Sequence, residues 1–200
     1  MDKRSTANKT EDLMALDSAK EDLLILVDVL DRPIGSATKE QAHRQGLLHR
    51  AFSLQLYRET GAEREYLISR RAMEKYHARG LWANSCCSHP RKGETVPDAA
   101  ACRVRQELGC GADDMREIGC FLYRTAFSNG LFEYEYDHVL LARIAGEPAP
   151  DPAEVSEIRW VTADELNALL VRSPNLFAPW AFTVLSIILK ETHNSIVSPF

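Results

Sequence analysis

The segment 95–108 is the feature that most constrains the fold of this chain. Its apolar residues recur at helical spacing, and Gly109, directly after it, is a natural C-cap residue. Apolar or alternating segments that are typical of strands lie on both sides of it. We therefore predict an α+β fold in a single domain, with a mixed β-sheet sandwiched between helices.

The other elements follow from apolar patterns and turn residues. Residues 31–35 predict a turn and 128–130 a hairpin, because both stretches contain glycine beside other turn formers. Residues 162–165 form a capping box that opens a short helix, and a last helix follows Pro179. The predicted strands are residues 23–27, 51–57, 66–70, 118–127, 131–144 and 157–161.

Composition limits the class of protein. The 200 residues suit one domain, which we place at residues 21–192, between a flexible N-terminal extension at 1–20 and a C-terminal tail at 193–200. The net charge of −5 argues against nucleic acid as a partner. No apolar run approaches the ~20 residues of a membrane span. The odd number of cysteines and the polar start of the chain predict reduced thiols in a cytoplasmic protein.

The stretch 82–90 carries most of the chemistry. It places two adjacent thiols, Cys86 and Cys87, just before His89. Upstream lie His43 and His49, and downstream lie the alternating carboxylates Glu133 and Glu135. Imidazole and carboxylate groups are ligands of divalent transition metals, so these five side chains can converge on one metal ion.

A second set of carboxylates flanks the predicted helix. Glu94 precedes the helix and Glu107 lies near its end, so both can face one cleft and suit Mg²⁺ shared with substrate phosphates. Here the chain resembles the Nudix superfamily, whose box reads G-x5-E-x7-R-E-U-x-E-E-x-G-U, with U apolar. Glu94, Glu107 and Gly109 match that box. Four positions depart from it, namely Ser88, Cys102, Arg103 and Gln106. The loss of part of the glutamate cluster disfavours diphosphate hydrolysis.

A closer resemblance, over roughly residues 22–190, is to the type I isopentenyl-diphosphate isomerases, a branch of the Nudix fold. Its markers are short stretches in matching order. They are His43; Leu48-His49-Arg50-Ala51-Phe52-Ser53; Arg70-Arg71-Ala72; Trp82-x-Asn84-Ser85-x-Cys87-x-His89-Pro90; Glu133-x-Glu135; and Pro179-Trp180. The resemblance implies a Nudix-type sheet and the interconversion of isopentenyl and dimethylallyl diphosphate.

The resemblance also implies two metal sites. One Zn²⁺ or Mn²⁺ would be held by three histidines and two glutamates. One Mg²⁺ would be bound at Glu107 and Cys87 together with the substrate diphosphate. The ligands implied for the first metal are His43, His49, His89, Glu133 and Glu135.

Further roles are implied for the reacting groups. Cys87 resembles the catalytic thiol and Glu135 the opposing acid/base, while Tyr123 resembles a tyrosine that hydrogen-bonds Glu135. Trp180 resembles an aromatic that faces the reacting carbon. The cations implied to hold the diphosphate are Lys39, Arg71 and Lys75.

These residue types suit the implied chemistry. Moving the double bond requires adding a proton at one carbon and removing another at its neighbour, which two acid/base groups can do. Protonation of an unactivated alkene creates a tertiary carbocation, and an indole face stabilises a desolvated cation by ~2 kcal/mol or more. The diphosphate supplies remote binding energy that fixes the small alkene.

Two other functions stay open at this stage. One is a Nudix hydrolase acting on a nucleotide or prenyl diphosphate, and the other is a catalytically silent diphosphate-binding protein. Ser88, Tyr134 and Arg79 depart from the isomerase pattern and leave room for a modified or longer prenyl diphosphate. We expect His77, His138 and His193 to be ordinary core or surface residues, Cys102, Cys110 and Cys120 to be buried, and the protein to be a monomer or a homodimer.

Overall fold

A computed structural model describes residues 23–61, 63–75 and 77–197, with side chains as far as residue 191. The extension predicted for residues 1–20 and the last three residues of the predicted tail lie outside these ranges. None of the helices in the described ranges has the length and apolar character needed to cross a bilayer.

Nine strands form one mixed sheet in the described part of the chain. The central strand β3 pairs antiparallel with β1, β4 and β6 and parallel with β8. The outer pairs β1–β2, β4–β5, β4–β9 and β7–β8 are antiparallel. The strands are β1 (Leu23–Val27), β2 (Pro33–Thr38), β3 (His49–Thr60), β4 (Glu63–Arg71), β5 (Trp82–Ala83), β6 (Cys86–Ser88), β7 (Gly111–Ala126), β8 (Phe132–Ala145) and β9 (Val155–Thr162).

Within the described ranges, four α-helices accompany the sheet: α1 (Lys39–Gln45), α2 (Val96–Leu108), α3 (Ala163–Arg172) and α4 (Ala181–Val197). Thr95 caps α2 by accepting a hydrogen bond from the Asp98 backbone N–H, and the left-handed Gly109 ends it. Thr162 and Glu165 form the predicted capping box at the start of α3.

The core lies in two layers, one on each face of the sheet. Alternation along a strand sends neighbouring residues to opposite layers. Leu67 of β4 packs toward α2, whereas its neighbours Tyr66 and Ile68 pack toward α3 and α4. The predicted mixed sheet between helices is therefore confirmed.

Three details of the sequence prediction were wrong. Pro33 and the residues after it form β2, because they pair with β1, so the turn ends at residue 32. Helix α1 was not predicted, because its seven residues are too few to show a clear apolar period. Helix α4 continues to Val197, so the predicted start of the tail at residue 193 falls inside a helix.

Candidate metal and acid–base site

Three histidines and one glutamate meet at one end of the sheet. His43 comes from α1, His49 begins β3, His89 follows β6, and Glu135 lies in β8 opposite His49 in the parallel ladder. The left-handed Gly46 ends α1 and turns the chain back toward β3. One ligand atom from each of the four side chains lies within 4.8 Å of the others. The cluster is therefore compact enough to bind one metal ion.

Hydrogen bonds to backbone carbonyls set the tautomers of two of these rings. His43 Nδ1 lies 2.6 Å from the Lys39 carbonyl oxygen, and His49 Nδ1 lies 2.8 Å from that of Leu47. A carbonyl oxygen can only accept, so each Nδ1 carries the hydrogen and each Nε2 keeps its lone pair. His49 Nε2 lies 3.7 Å from Glu135 Oε1. Such outer hydrogen bonds are typical of metal-ligating histidines.

The electrostatics also suit a metal. Burial lowers the pKa of His43 to about 4 and that of His89 to about 3, so both rings are neutral near pH 7. Burial opposes ionisation of Glu135, but the nearby rings of His49 and His89 outweigh it and hold the pKa of Glu135 well below its usual range. Neutral imidazoles beside a carboxylate are the protonation states that metal ligands require.

Glu133 sits one step further along β8, but its carboxylate has protein partners. Its Oε2 accepts a short hydrogen bond from the Tyr123 hydroxyl, and its Oε1 contacts His77 Nε2. The sequence placed the Tyr123 bond on Glu135, which lies directly opposite in the ladder. The long phenol instead reaches the diagonal neighbour. Glu133 lies outside the compact group of four, and its role as a fifth ligand stays a prediction.

His77 was expected to be an ordinary core or surface residue, whereas it lines the cleft. It is buried, at 7% exposure, on the loop between β4 and β5. Its ring centroid lies 4.7 Å from that of Phe127 and 5.8 Å from that of Trp180. No sequence pattern around His77 marks it, because only the folded loop brings it to Glu133.

The two adjacent thiols point to opposite sides of β6, as expected for an extended segment. Cys87 Sγ donates to Asn84 Oδ1 at 3.1 Å and lines the same cleft as Glu135. Cys86 Sγ instead points toward α2, 3.5 Å from Glu107 Oε2. Burial and the charge of Asp137 raise the pKa of the Cys87 thiol to about 12, so the thiol is protonated near neutral pH.

Positive charge also gathers in the cleft. Lys39, Arg71 and Lys75, the cations implied to hold a diphosphate, line it, and Arg103, which was not among them, lines it as well. Burial lowers the pKa of Lys75 to about 8, and burial with the charge of Arg103 lowers the pKa of Lys39. Crowded, partly desolvated cations of this kind are suited to binding a polyanion.

Two carboxylates balance these cations. Glu107 Oε1 lies 2.8 Å from Arg103 Nε, and Glu154 contacts both Lys75 and Arg103. Glu107 lines the cleft with Cys87, whereas Glu94 lines a neighbouring cavity, and Arg103 lines both. The two carboxylates were expected to face one cleft and instead line adjoining cavities.

Trp180 forms the apolar wall of the cleft, which encloses about 530 Å³ of space that is partly open to solvent. The Arg71 guanidinium carbon lies 5.2 Å from the centre of its ring. The indole N–H has no hydrogen-bond partner among the described residues. The indole ring thus lies beside both Arg71 and His77 in the cleft.

Two buried polar residues of the cleft were also missed. Ser53 lies opposite Cys87 in the β3–β6 ladder, and Asp137 follows Glu135 on the inward face of β8. The acidic alternation of Glu133, Glu135 and Asp137 was a usable signal for Asp137, since strand residues two apart share a face. Ser53 falls inside the marker stretch but carries no distinctive pattern.

The fold has clear counterparts among solved structures. The chain matches the NUDIX domain model over residues 47–181. It is similar to DR0079 of Deinococcus radiodurans, with a TM-score of 0.60, 20% identity and coverage of 76% of this chain and 90% of that one. A MutT NUDIX hydrolase from Burkholderia pseudomallei has a TM-score of 0.56 at 17% identity, covering 70% of this chain and 98% of that one. The fold and the site thus define a Nudix domain with a cluster of three histidines and one glutamate that could hold a metal ion.

Sequence relatives show which family of Nudix domains this chain belongs to. A protein of Photobacterium profundum named isopentenyl-diphosphate Delta-isomerase is 44% identical over 86% of this chain and 96% of its own length. Proteins of the same name from Nocardia farcinica and Burkholderia multivorans are 44% and 43% identical, over 81% and 80% of this chain and 91% and 89% of their own lengths. The chain belongs to the isopentenyl-diphosphate Delta-isomerase family.

Proposed function

We propose that this protein interconverts isopentenyl diphosphate and dimethylallyl diphosphate, with Cys87 and Glu135 as the acid/base pair. A proton is added to the terminal CH₂ carbon of isopentenyl diphosphate, which leaves a tertiary cation on the neighbouring carbon. Loss of a proton from the CH₂ on the other side of that carbon then forms the new double bond. One proton enters and one leaves, so no co-reactant is needed.

The observation that carries this proposal is the position of β3 between β6 and β8. Cys87 of β6 pairs across to Ser53 on one side of β3, and Glu135 of β8 pairs with His49 on the other side. Strands lie ~4.8 Å apart, so β6 and β8 are ~10 Å apart across β3. The β8 residue level with Cys87 is Val139, and Glu135 lies four residues before it on the same face of β8. Both side chains line the same cleft. A five-carbon alkene between them can gain a proton from one side and lose one to the other.

The remaining residues fit the cation and the diphosphate. Trp180 offers a π-face to the tertiary cation, which needs no oxyanion hole. Lys39, Arg71 and Lys75 are proposed to hold the diphosphate, and Arg103 joins them on the geometry of the cleft. Binding the diphosphate by these cations fixes the alkene against Trp180 and the acid/base pair.

Two metals are proposed. The cluster of His43, His49, His89 and Glu135 would bind one Zn²⁺ or Mn²⁺, with Glu133 as a fifth ligand once Tyr123 and His77 release it. A bound cation there supplies positive charge that holds Glu135 in place and tunes its proton exchange. Glu107 and Cys87 would hold Mg²⁺ together with the diphosphate.

Two alternative functions are separated by one experiment. Proton NMR of isopentenyl diphosphate with the protein in D₂O should show dimethylallyl diphosphate and deuterium uptake, with no release of phosphate. Release of phosphate or diphosphate without a new allylic signal would favour a hydrolase. Binding without any turnover would favour a silent diphosphate-binding protein. A Cys87→Ala sample is the matched control, because it should bind the substrate and leave it unchanged.

The cellular compartment, the binding partner and the oligomeric state are also proposals. Five free cysteines, two of them in the site or next to it, are suited to a reducing cytoplasm. The partner is a small-molecule substrate, and either a monomer or a homodimer is compatible with a cleft built from one chain.

A further inference from the structure

Ser53 and Asp137 form a buried hydrogen-bond chain that ends on the Cys87 thiol. Ser53 Oγ lies 2.7 Å from Asp137 Oδ2 and 3.4 Å from Cys87 Sγ. Ser53 and Asp137 are each 1% exposed. Nothing in the proposed acid/base step uses either of them.

Each hydrogen bond of this series has a defined donor and acceptor. The Ser53 hydroxyl donates its hydrogen to Asp137, so its lone pairs face the sulfur. The thiol has one hydrogen and two acceptors within reach, Ser53 Oγ at 3.4 Å and Asn84 Oδ1 at 3.1 Å, so it donates to one of them at a time. A side-chain oxygen therefore lies on each of two sides of the sulfur, and the two oxygens together limit where the thiol hydrogen points. A thiol forms weak hydrogen bonds, so a fixed orientation requires neighbours that are fixed themselves.

The fold does not need this arrangement. Asp137 Oδ1 has no hydrogen-bond partner among the described residues, although the side chain is buried between strands. A buried carboxyl with an unsatisfied oxygen costs stability, and an apolar residue would fill the position more favourably. Val139 and Leu141, two and four residues further along the same face of β8, show that this face accepts buried apolar side chains.

We infer that Ser53 is a positioning residue for the reaction, anchored by Asp137, that fixes the Cys87 sulfur in the orientation that faces the substrate. The inference rests on the proposed function, because it assigns a partner to the thiol of that same site. Ser53 does not touch the substrate in this view. Its removal lowers the rate of the chemical step and leaves substrate binding unchanged.

The test is a double-mutant cycle measured by isomerase kinetics. Ser53→Ala should lower kcat about tenfold, with KM for isopentenyl diphosphate and the content of bound transition metal unchanged within twofold. Asp137→Ala should lower kcat similarly, and the double variant should lose no more than either single variant, since both act through one sulfur. Asp137→Asn keeps an oxygen that can accept from Ser53, and should recover part of the loss.

The control is Ser69→Ala. Ser69 is also buried, but its hydroxyl donates to the carbonyls of Asn84 and Ser85 and does not contact the thiol. It should lose stability comparably and keep kcat within about threefold. Additive losses in the cycle, a full rate in Ser53→Ala, or a rise in KM with loss of metal would each overturn the inference. Failure of the unsubstituted protein to isomerise would instead overturn the proposed function.

Discussion

Replacing each of the two adjacent thiols separately is the sharpest test of the site. Cys87 lines the cleft, and Cys86 points the other way into the core beside α2. The side chains differ by one sulfur atom from alanine in both cases. Any difference between Cys86→Ala and Cys87→Ala therefore reports which face of β6 carries the chemistry.

The Cys87 substitutions should lower the reaction rate, whereas the Cys86 substitution should lower the stability. Removing an acid/base group costs ~10²-fold or more in rate, equivalent to ~2.7 kcal/mol in the activation barrier. Cys87→Ala should therefore nearly abolish isomerisation. Cys87→Ser should also be poor, because a hydroxyl is a far weaker acid than a thiol. Neither Cys87 variant should lose the histidine-bound metal, because the thiol is outside that cluster.

Cys86→Ala should affect stability more than rate. Cys86 is 2% exposed and packs in the core layer of α2. Losing one buried heavy atom costs ~1 kcal/mol, which is within the range for the removal of one buried methyl group. The nearby Glu107 also loses a weak contact. The rate should stay within about threefold of the unsubstituted protein.

The assay combines initial rates of dimethylallyl diphosphate formation with urea unfolding of the same samples. The reasoning predicts a slow, stable Cys87→Ala and an active, less stable Cys86→Ala. If Cys86→Ala were the inactive protein and Cys87→Ala the active one, the register of β6 would be off by one residue. The position of His89 in the metal cluster would then have to be reassigned as well.

Three further predictions concern the metals and pH. His89→Ala should remove most of the tightly bound metal and the activity, whereas His138→Ala, outside the cluster, should keep both; elemental analysis decides this. Glu107→Gln should weaken Mg²⁺ dependence and spare the histidine-bound metal, and equal loss of both metals would contradict two separate sites. The folded pKa of His43 is about 4 and that of His89 about 3, both below the usual 6.5, so each ring should cost metal-free protein up to ~1.4 kcal/mol of stability per pH unit from pH 6.5 down toward 4. Urea unfolding measures the combined slope, which should be smaller by the share of one ring in His43→Gln.

The sign of the pH effect follows from where the proton binds. Below pH 6.5 the imidazole of His43 binds a proton in the unfolded state, whereas the buried ring in the folded state stays neutral. The unfolded state is favoured progressively until the folded ring also titrates, near pH 4. Above pH 6.5 neither state binds the proton, and this contribution is constant.

Periodicity predicted the long elements of the fold, and tertiary pairing decided the rest. Helix α2 was predicted because apolar residues recur at helical spacing along its 13 residues and a capping residue lies at each end. Strand β2 was missed because five of its six residues are exposed, so its sequence shows no alternation of apolar and polar residues. Its residues are ordered by their partners in β1, which lie outside any local window.

The metal cluster was predictable, because its residues fall in short stretches with a known order. The neighbours of those residues were not. His77 reaches Glu133 across a loop, and Ser53 reaches Cys87 across a ladder, so both contacts exist only after folding. Of the three cysteines expected to be buried, Cys110 is buried whereas Cys102 and Cys120 are exposed. A cysteine's average burial says little about a particular position in an amphipathic element.

The charge at position 103 explains why this Nudix domain is suited to isomerisation. The Nudix box has a glutamate there, close to the one at 107, and paired carboxylates of this kind bind several cations. In this chain Arg103 occupies that position and lies 2.8 Å from Glu107 Oε1. One carboxylate and one fixed cation remain where a cluster of carboxylates would be. Such a site has fewer ligands for the metals that would activate water against a diphosphate. In the proposed mechanism the reactive groups are Cys87 and Glu135 of the same cleft, so the diphosphate would serve as an anchor and the carbon skeleton would be the part that reacts.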